Sequence, residues 1–464
     1  MLLDSQYNIF TKSNLVYIPL SITIAHTLNF IVNSPLSTWK EFPPRLPNSV
    51  YSSLFLTPLL LFMSLTFEPI QTRKRFYTLL SLALLVVLIP LSYHGREYPP
   101  PLKNAFVAIA VFHGLKMFLF LKFNRVYLNQ KNSEQNKEFK SYILTFFNWR
   151  PNSYIIPPIA NEKENLSINN NSPTTSQINK KLINRLMIFI AKYLIFEFSI
   201  FTLIISTKCK LEVSEKAYQI RLVEFITSGI PPFTLSSMRL YLNFIGIMYL
   251  WLSLNYDFIT IIVSIIFRFF FHSTPENNNY KSILIQSGLL TPSEYVSLKE
   301  WIITFLFNTK HLFSEPWMSS SPRDFWSTRW QLLINEGLKE LGYYPVKNLF
   351  TPIFSKKIAN IMGVLGAFGV SALLHEYLII ANFNVWTGEQ FFFFMMHGVI
   401  FILWEAIFNN KSEDTKITKF LKWFLLLNIN LILLPGLIEP SLRNFKFSDI
   451  SSVSSYFAKE YLKF

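Results

Sequence analysis

The sequence predicts an all-α protein that crosses a lipid bilayer about nine times and carries one long loop of short interfacial or reentrant helices. Three observations support this. Apolar residues make up 51% of the 464 and charged residues only 15%, against roughly 25% charge in a soluble chain. Mean hydropathy is positive, at +0.30. Apolar runs of membrane-spanning length also recur along the chain. About 20 residues nearly free of charge fit the hydrocarbon core as a helix, because a helix satisfies its own backbone where no water can.

The first four spans are predicted near residues 15–32, 50–67, 76–93 and 102–121. Asp4 and Lys12 precede the first run, and no small-residue cleavage site follows Val32, so the run reads as a retained span rather than a signal peptide. A fifth span, 186–205, is interrupted by Lys192 and Glu197, and a sixth, 241–267, carries Asp257. Three more are expected near 358–383, 391–408 and 420–437.

Between spans four and five, residues 129–181 are rich in Asn, Ser, Lys and Pro. Such a segment buries too little apolar area to offset its ordering entropy and is expected to be a disordered cytosolic linker. The chain thus divides into N-terminal spans (1–128), the linker (129–181) and a membrane domain (182–464). The loop from 272 to 358 is different. Trp317, Trp326 and Trp330 fall within fourteen residues there, and Trp prefers the membrane interface.

The net charge of +15 (43 basic minus 28 acidic residues) suggests nucleic-acid binding in a soluble chain, whereas in a membrane protein it reflects basic cytosolic loops. The basic loops alternate: Arg73-Lys74-Arg75 after span two, then the linker, the loop after span six, and Lys411, Lys416 and Lys419 after span eight. This pattern predicts a cytosolic N-terminus. One cysteine, Cys209, excludes an internal disulfide framework and a Cys-rich metal site.

Among residues able to do chemistry, His375 stands out. It lies beside Glu376 inside an apolar span that also holds Gly363, Gly366 and Gly369 as sites of close approach. An ionisable residue at such a place faces an internal cavity or marks a function. His375-Glu376-Tyr377-Leu378-Ile379 lacks the second histidine of a zinc-protease motif. No G-x-S-x-G elbow occurs. A second feature is residues 321–341. Continued as a helix, this stretch places Arg323, Ser327, Gln331 and Asn335 on one polar row at i, i+4 spacing. Trp326, Trp330, Leu333 and Gly337 form an apolar row beside it.

Together these features resemble the membrane-bound O-acyltransferase superfamily, in its wax synthase-like branch of long-chain-alcohol O-fatty-acyltransferases. The resemblance rests on Phe313-Ser314-Glu315-Pro316-Trp317, on Ser321-Pro322-Arg323-Asp324-Phe325-Trp326-Ser327-Thr328-Arg329-Trp330 and on Ser371 to Tyr377. Phe394-Met395-Met396-His397-Gly398 and Glu405 also fit the branch. It is specific over about 311–408. The position after Arg329-Trp330 departs from it: Gln331 stands where His or Asn is usual.

The resemblance implies acyl transfer from acyl-coenzyme A to the hydroxyl of a hydrophobic alcohol, in a multi-pass protein of the endoplasmic reticulum membrane. No metal or further cofactor and no nucleic acid is expected. His375 is the expected general base, Glu376 its orienting or charge-stabilising partner, and Gln331 the donor to the thioester oxygen. Trp326, Arg329, Trp330, Asn335, Ser371 and His397 are expected to contact substrate, and Arg323, Arg329, Lys339 and Lys347 to meet the coenzyme A phosphates. Two other readings stay open. One is acetyl transfer to a terpenoid or sterol hydroxyl. The other is a transporter whose path is lined by Lys192, Glu197, Asp257 and His375.

Overall fold

A computed structural model describes residues 12–68, 70–124, 175–208, 213–271, 284–285, 290–307, 311–408, 415–444 and 452–461. Among these, nine helices are long and apolar enough to cross a membrane, as expected. Their large side chains are widely exposed, for example Ile22 at 63%, Met187 at 62% and Phe198 at 68%. In water such surfaces drive association; here they are lipid-facing. Cys209 and most of the linker, 129–174, lie outside the described residues. The fifth spanning helix begins at Thr175, so residues 175–181, assigned above to the linker, are helical.

The chain folds as two compact units. The first comprises 1–85, 120–193 and 253–310. Here α1 (Lys12–Asn33) packs on α2 (Asn48–Leu65), which buries Tyr51, Phe55, Leu59 and Phe62. The unit also holds the start of α3 (Arg73–Ser92), the end of α4 (Pro100–Asn124) and the first half of α5 (Thr175–Lys208). Asp257, 1% exposed, joins two of its helices by accepting from Arg185 at 3.0 Å and from Lys192 at 2.6 Å. A buried carboxylate is tolerable only with such partners. A separate core gathers Ile178, Phe267, Phe271, Tyr295, Ile302 and Leu306.

The second unit comprises 86–119, 194–252 and 311–464. It contains the short α6 (Tyr218–Ser228) and most of the first half of α7 (Leu235–Ile266). The helix α8 (Pro292–Phe307) belongs to the first unit. The long loop then forms α9 (Pro322–Asp324), which runs into a π-helical turn at Phe325–Arg329. Next come α10 (Asn335–Leu338), a second π turn at Lys339–Tyr343, and α11 (Tyr344–Phe350). Three spanning helices follow: α12 (Lys356–Phe383), α13 (Glu389–Phe408) and α14 (Lys416–Asn444), and then the short α15 (Val453–Tyr461).

The spacing of small residues decides how the loop packs on α12. A Cβ on Gly342 would sit 2.6 Å from the Gly366 carbonyl oxygen, and one on Gly363 would meet the Tyr343 ring at 2.9 Å. These two helical glycines give the close approach expected of them. Gly369 does not, since its nearest neighbour is Met395 at 4.0 Å.

Candidate active site

His375 sits in α12 with its Nδ1 2.8 Å from the Ser371 carbonyl oxygen. A carbonyl only accepts, so Nδ1 carries the proton and the neutral ring keeps Nε2 as its lone-pair nitrogen. The ring lies 4.1 Å from that of Phe394, centroid to centroid, and is half-buried. Ser371 therefore contributes its backbone oxygen to the site.

Glu376 turns elsewhere. It is 4% exposed, and its Oε1 accepts from the Phe391 backbone N–H at 3.0 Å, in the first turn of α13. Four N–H groups at a helix start lack partners within the helix, and a carboxylate there also complements the helix dipole. The expected Glu376–His375 pairing is thus replaced by a bond that holds α13 against α12. Adjacent residues on a helix point about 100° apart, which is why the two side chains diverge.

The loop reaches the same place from its own side. Ser321 caps α9 by accepting from the Asp324 N–H at 3.1 Å, with Pro322 in the first helical position. Arg323 forms a two-pronged bond to Glu405 on α13, both contacts at 2.9 Å. Trp326 sets its ring against Phe394 (5.8 Å), His397 (5.2 Å) and Phe368 (5.7 Å). Residues 405 and 394 are about 16 Å apart along a helix at 1.5 Å per residue, so the loop's side chains contact that length of α13. Phe394 touches both Trp326 and His375 and links the two motifs.

The continuous helix expected over 323–341 is not formed. After the π turn, Trp330 is extended and Gln331 has φ +42°. Residues on either side pair with an upstream strand-like segment: Ser314 N–H donates to Arg329 O at 2.9 Å and Leu332 N–H to Leu312 O at 3.1 Å. The polar and apolar rows drawn through residue 331 therefore do not exist. Asn335 donates its amide to the Ser327 carbonyl at 3.0 Å and to that of Trp326 at 3.4 Å. It satisfies carbonyls stranded by the break. Arg329 donates to Asp324 at 2.8 Å and to the carbonyls of Ser314 and Glu315. Trp330 stacks between Phe325 and Phe313. So Arg329, Trp330 and Asn335 build the loop. Of the basic residues expected at the phosphates, Arg323 and Arg329 are engaged within the protein, Lys347 lies over the Tyr343 ring and Lys339 is exposed.

Gln331 is half-buried, and among the described residues its amide has no hydrogen-bond partner. Among the described residues no hydrogen bond joins it to His375. Beside the break, burial raises the Glu336 carboxyl above its usual range, while Lys116 pulls it down. His397 is buried beneath Trp326. Its Nδ1 donates to Phe393 O at 2.9 Å, and its Nε2 lies 3.1 Å from Asn430 on α14. It is thus a link between α13 and α14. Among the described residues, no three His, Cys, Asp or Glu side chains group to hold a metal.

One feature was missed from sequence. Glu389 and Glu439, both 0% exposed, are matched by Arg443, which bonds both, and by Arg221, which pairs with Glu439. Tyr241 donates to Glu439, and the Tyr218 N–H donates to Glu389 at 2.6 Å. This cluster ties α6, α7, α13 and α14 together. The signal available was charge at span ends: Glu389 opens one span and Glu439 and Arg443 close another, where an unpaired ion is costly. The residues proposed for a transport path are likewise engaged. Lys192 pairs with Asp257, and Glu197 accepts from the Ser454 N–H at 2.9 Å at the start of α15.

Fold and site together define a polytopic α-helical membrane protein with a histidine-bearing span packed against an aromatic loop of short helices. Residues 309–396 match the membrane bound O-acyl transferase family. That segment covers the loop and His375, and over it the chain is similar to this family. Several proteins of Arabidopsis thaliana are similar to part of this chain. "Probable long-chain-alcohol O-fatty-acyltransferase 1" is 37% identical over 94 residues, which is 20% of this chain and 27% of that one. "Probable long-chain-alcohol O-fatty-acyltransferase 7" is 34% identical over 88 residues, 19% of this chain and 26% of the relative. A third, numbered 3, is 36% identical over 87 residues, 18% and 25%. The aligned stretch spans about a quarter of the length of each of these relatives.

Proposed function

We propose that the protein transfers a fatty acyl group from acyl-coenzyme A to the hydroxyl of a long-chain lipid alcohol, within the endoplasmic reticulum membrane. The observation that supports this best is His375, with Nδ1 held by the Ser371 carbonyl and Nε2 left to accept a proton, inside the segment that matches the membrane bound O-acyl transferase family. In the reaction the alcohol O–H gives its proton to Nε2 while its oxygen forms a bond to the thioester carbonyl carbon. The C–S bond then breaks and the coenzyme A thiolate takes the proton from the ring. The products are an ester and free coenzyme A. Gln331 supplies a donor to the thioester oxygen as negative charge develops there. Apolar rings around His375 exclude water, which otherwise competes with the alcohol. Lys339, exposed on the loop, supplies positive charge to the coenzyme A phosphates.

The purified protein in lipid vesicles is tested with acetyl-, octanoyl- and palmitoyl-coenzyme A and a C16 alcohol. Ester is expected with the long donors. His375→Ala is expected to lower turnover by about 10²–10⁴-fold, the range for a positioned general base, while the protein still folds. A His375→Ala variant with more than about a tenth of the activity would rule out the base assignment. Ester from the acetyl donor alone would redirect the reading to small acyl groups.

A further inference from the structure

We propose that α6 is a membrane-interface helix whose outward row, Ile220, Val223 and Ile226, is covered by lipid acyl chains. The helix is held from one side. Tyr218, fully buried, donates its N–H to Glu389 at the first residue of α13. Arg221 pairs with Glu439 in the last turns of α14 and also donates to the Pro232 carbonyl. Gln219 donates to the Thr387 carbonyl at 3.2 Å, just before α13 begins. These anchors set α6 at the level where two spanning helices end and where α7 starts, and that is the edge of the hydrocarbon.

The side bearing Ile220, Val223 and Ile226 is open and apolar except for Thr227. Residues spaced by three share a helix face, and Ile220, Val223 and Ile226 are 48%, 59% and 75% exposed. Beyond the helix, Ile230 (59%) and Leu235 (88%) continue the exposed apolar stretch to α7. No charged residue lies on the row, while Lys216 and Glu224 pair at its polar edge. An apolar face with a polar edge at the depth of span ends suits the boundary between headgroups and acyl chains. The inference depends on the multi-pass membrane architecture and not on acyl transfer.

The test uses the full-length chain with Cys209→Ser, reconstituted in phosphatidylcholine vesicles. Nitroxide labels are placed singly at Val223→Cys, Ile226→Cys and, as the polar-edge control, Glu224→Cys. Ile220→Cys replaces either row position that fails to fold. Collisions with oxygen, which partitions into lipid, are compared with collisions with a water-soluble nickel chelate. A ratio of oxygen to nickel accessibility several-fold higher on the row than at 224 is expected. Equal ratios at all positions would place the row in water and overturn the proposal. Row labels shielded from both reagents would overturn it too, since a protein surface would then cover the face.

Discussion

Gln331 combines a backbone at φ +42° with an amide that has no partner among the described residues. A left-handed residue with a Cβ costs about 1–2 kcal/mol, and such strain persists where the surroundings impose it, often at functional positions. Gln331→Gly removes the amide and suits the backbone, so its stability should stay within about 1 kcal/mol of the parent or rise. Its turnover should fall by about 10²–10³-fold, as when one oxyanion donor is lost. Gln331→Asn, which tolerates the left-handed region and keeps an amide, should recover part of that. A Gly variant as active as the parent would free Gln331 of any chemical role. At Glu376 the expectation runs the other way. Glu376→Gln retains an oxygen to accept from Phe391 N–H, so activity should stay within about tenfold of the parent. If it falls as far as in His375→Ala, the carboxylate charge serves the reaction and not only the helix start.

The aromatic loop owes its position to α12, because the two backbones meet where neither Gly342 nor Gly366 has a side chain. Gly342→Ala puts a carbon 2.6 Å from the Gly366 carbonyl oxygen and 2.8 Å from the Ala367 Cα. Backbone atoms yield less than side chains, so overpacking should cost at least about 1–3 kcal/mol. Thermal unfolding in detergent should show a lower midpoint, together with loss of acyl transfer. Gly246→Ala is the control: nothing lies within 4 Å of its added Cβ, and alanine is the better helix former. Equal midpoints for the two variants would mean that the loop does not depend on this approach. The break at Trp330 and Gln331 belongs to the same scale. Local spacing favours a continuous helix there; Asn335 and the segment at Leu312–Ser314 outweigh it by taking up the backbone groups that the break leaves unpaired.

Within the second unit, contacts sort by membrane side. The aromatic loop meets α13 and α14 at one end, through Arg323–Glu405 and through Trp423, which donates to the Trp317 carbonyl at 2.7 Å. At the other end α6 meets the start of α13 and the end of α14. Alternating spans require this separation, and the basic loops predict which end is cytosolic. Asn165-Leu166-Ser167 and Asn170-Asn171-Ser172 are glycosylation sequons in the predicted cytosolic linker. Expressed in a eukaryotic host, the protein should show no mass shift on endoglycosidase treatment. A shift abolished by Asn165→Gln and Asn170→Gln would reverse the orientation.

The sequence by itself determined about nine spans, the class of the fold, the place of His375 on a span and the presence of an aromatic loop of short helices. Each depends on how one short stretch partitions between water and hydrocarbon, or on a motif contained in a few neighbouring residues. The tertiary structure decided the partners. It assigned Glu376 to the start of α13, Arg329 and Asn335 to the loop itself, and Glu389 and Glu439 to arginines from distant helices. Those outcomes depend on which polar group a buried donor or acceptor meets across the bundle. In a low-dielectric interior every such group takes the nearest suitable partner, and the spacing of residues along the chain does not say which one that is.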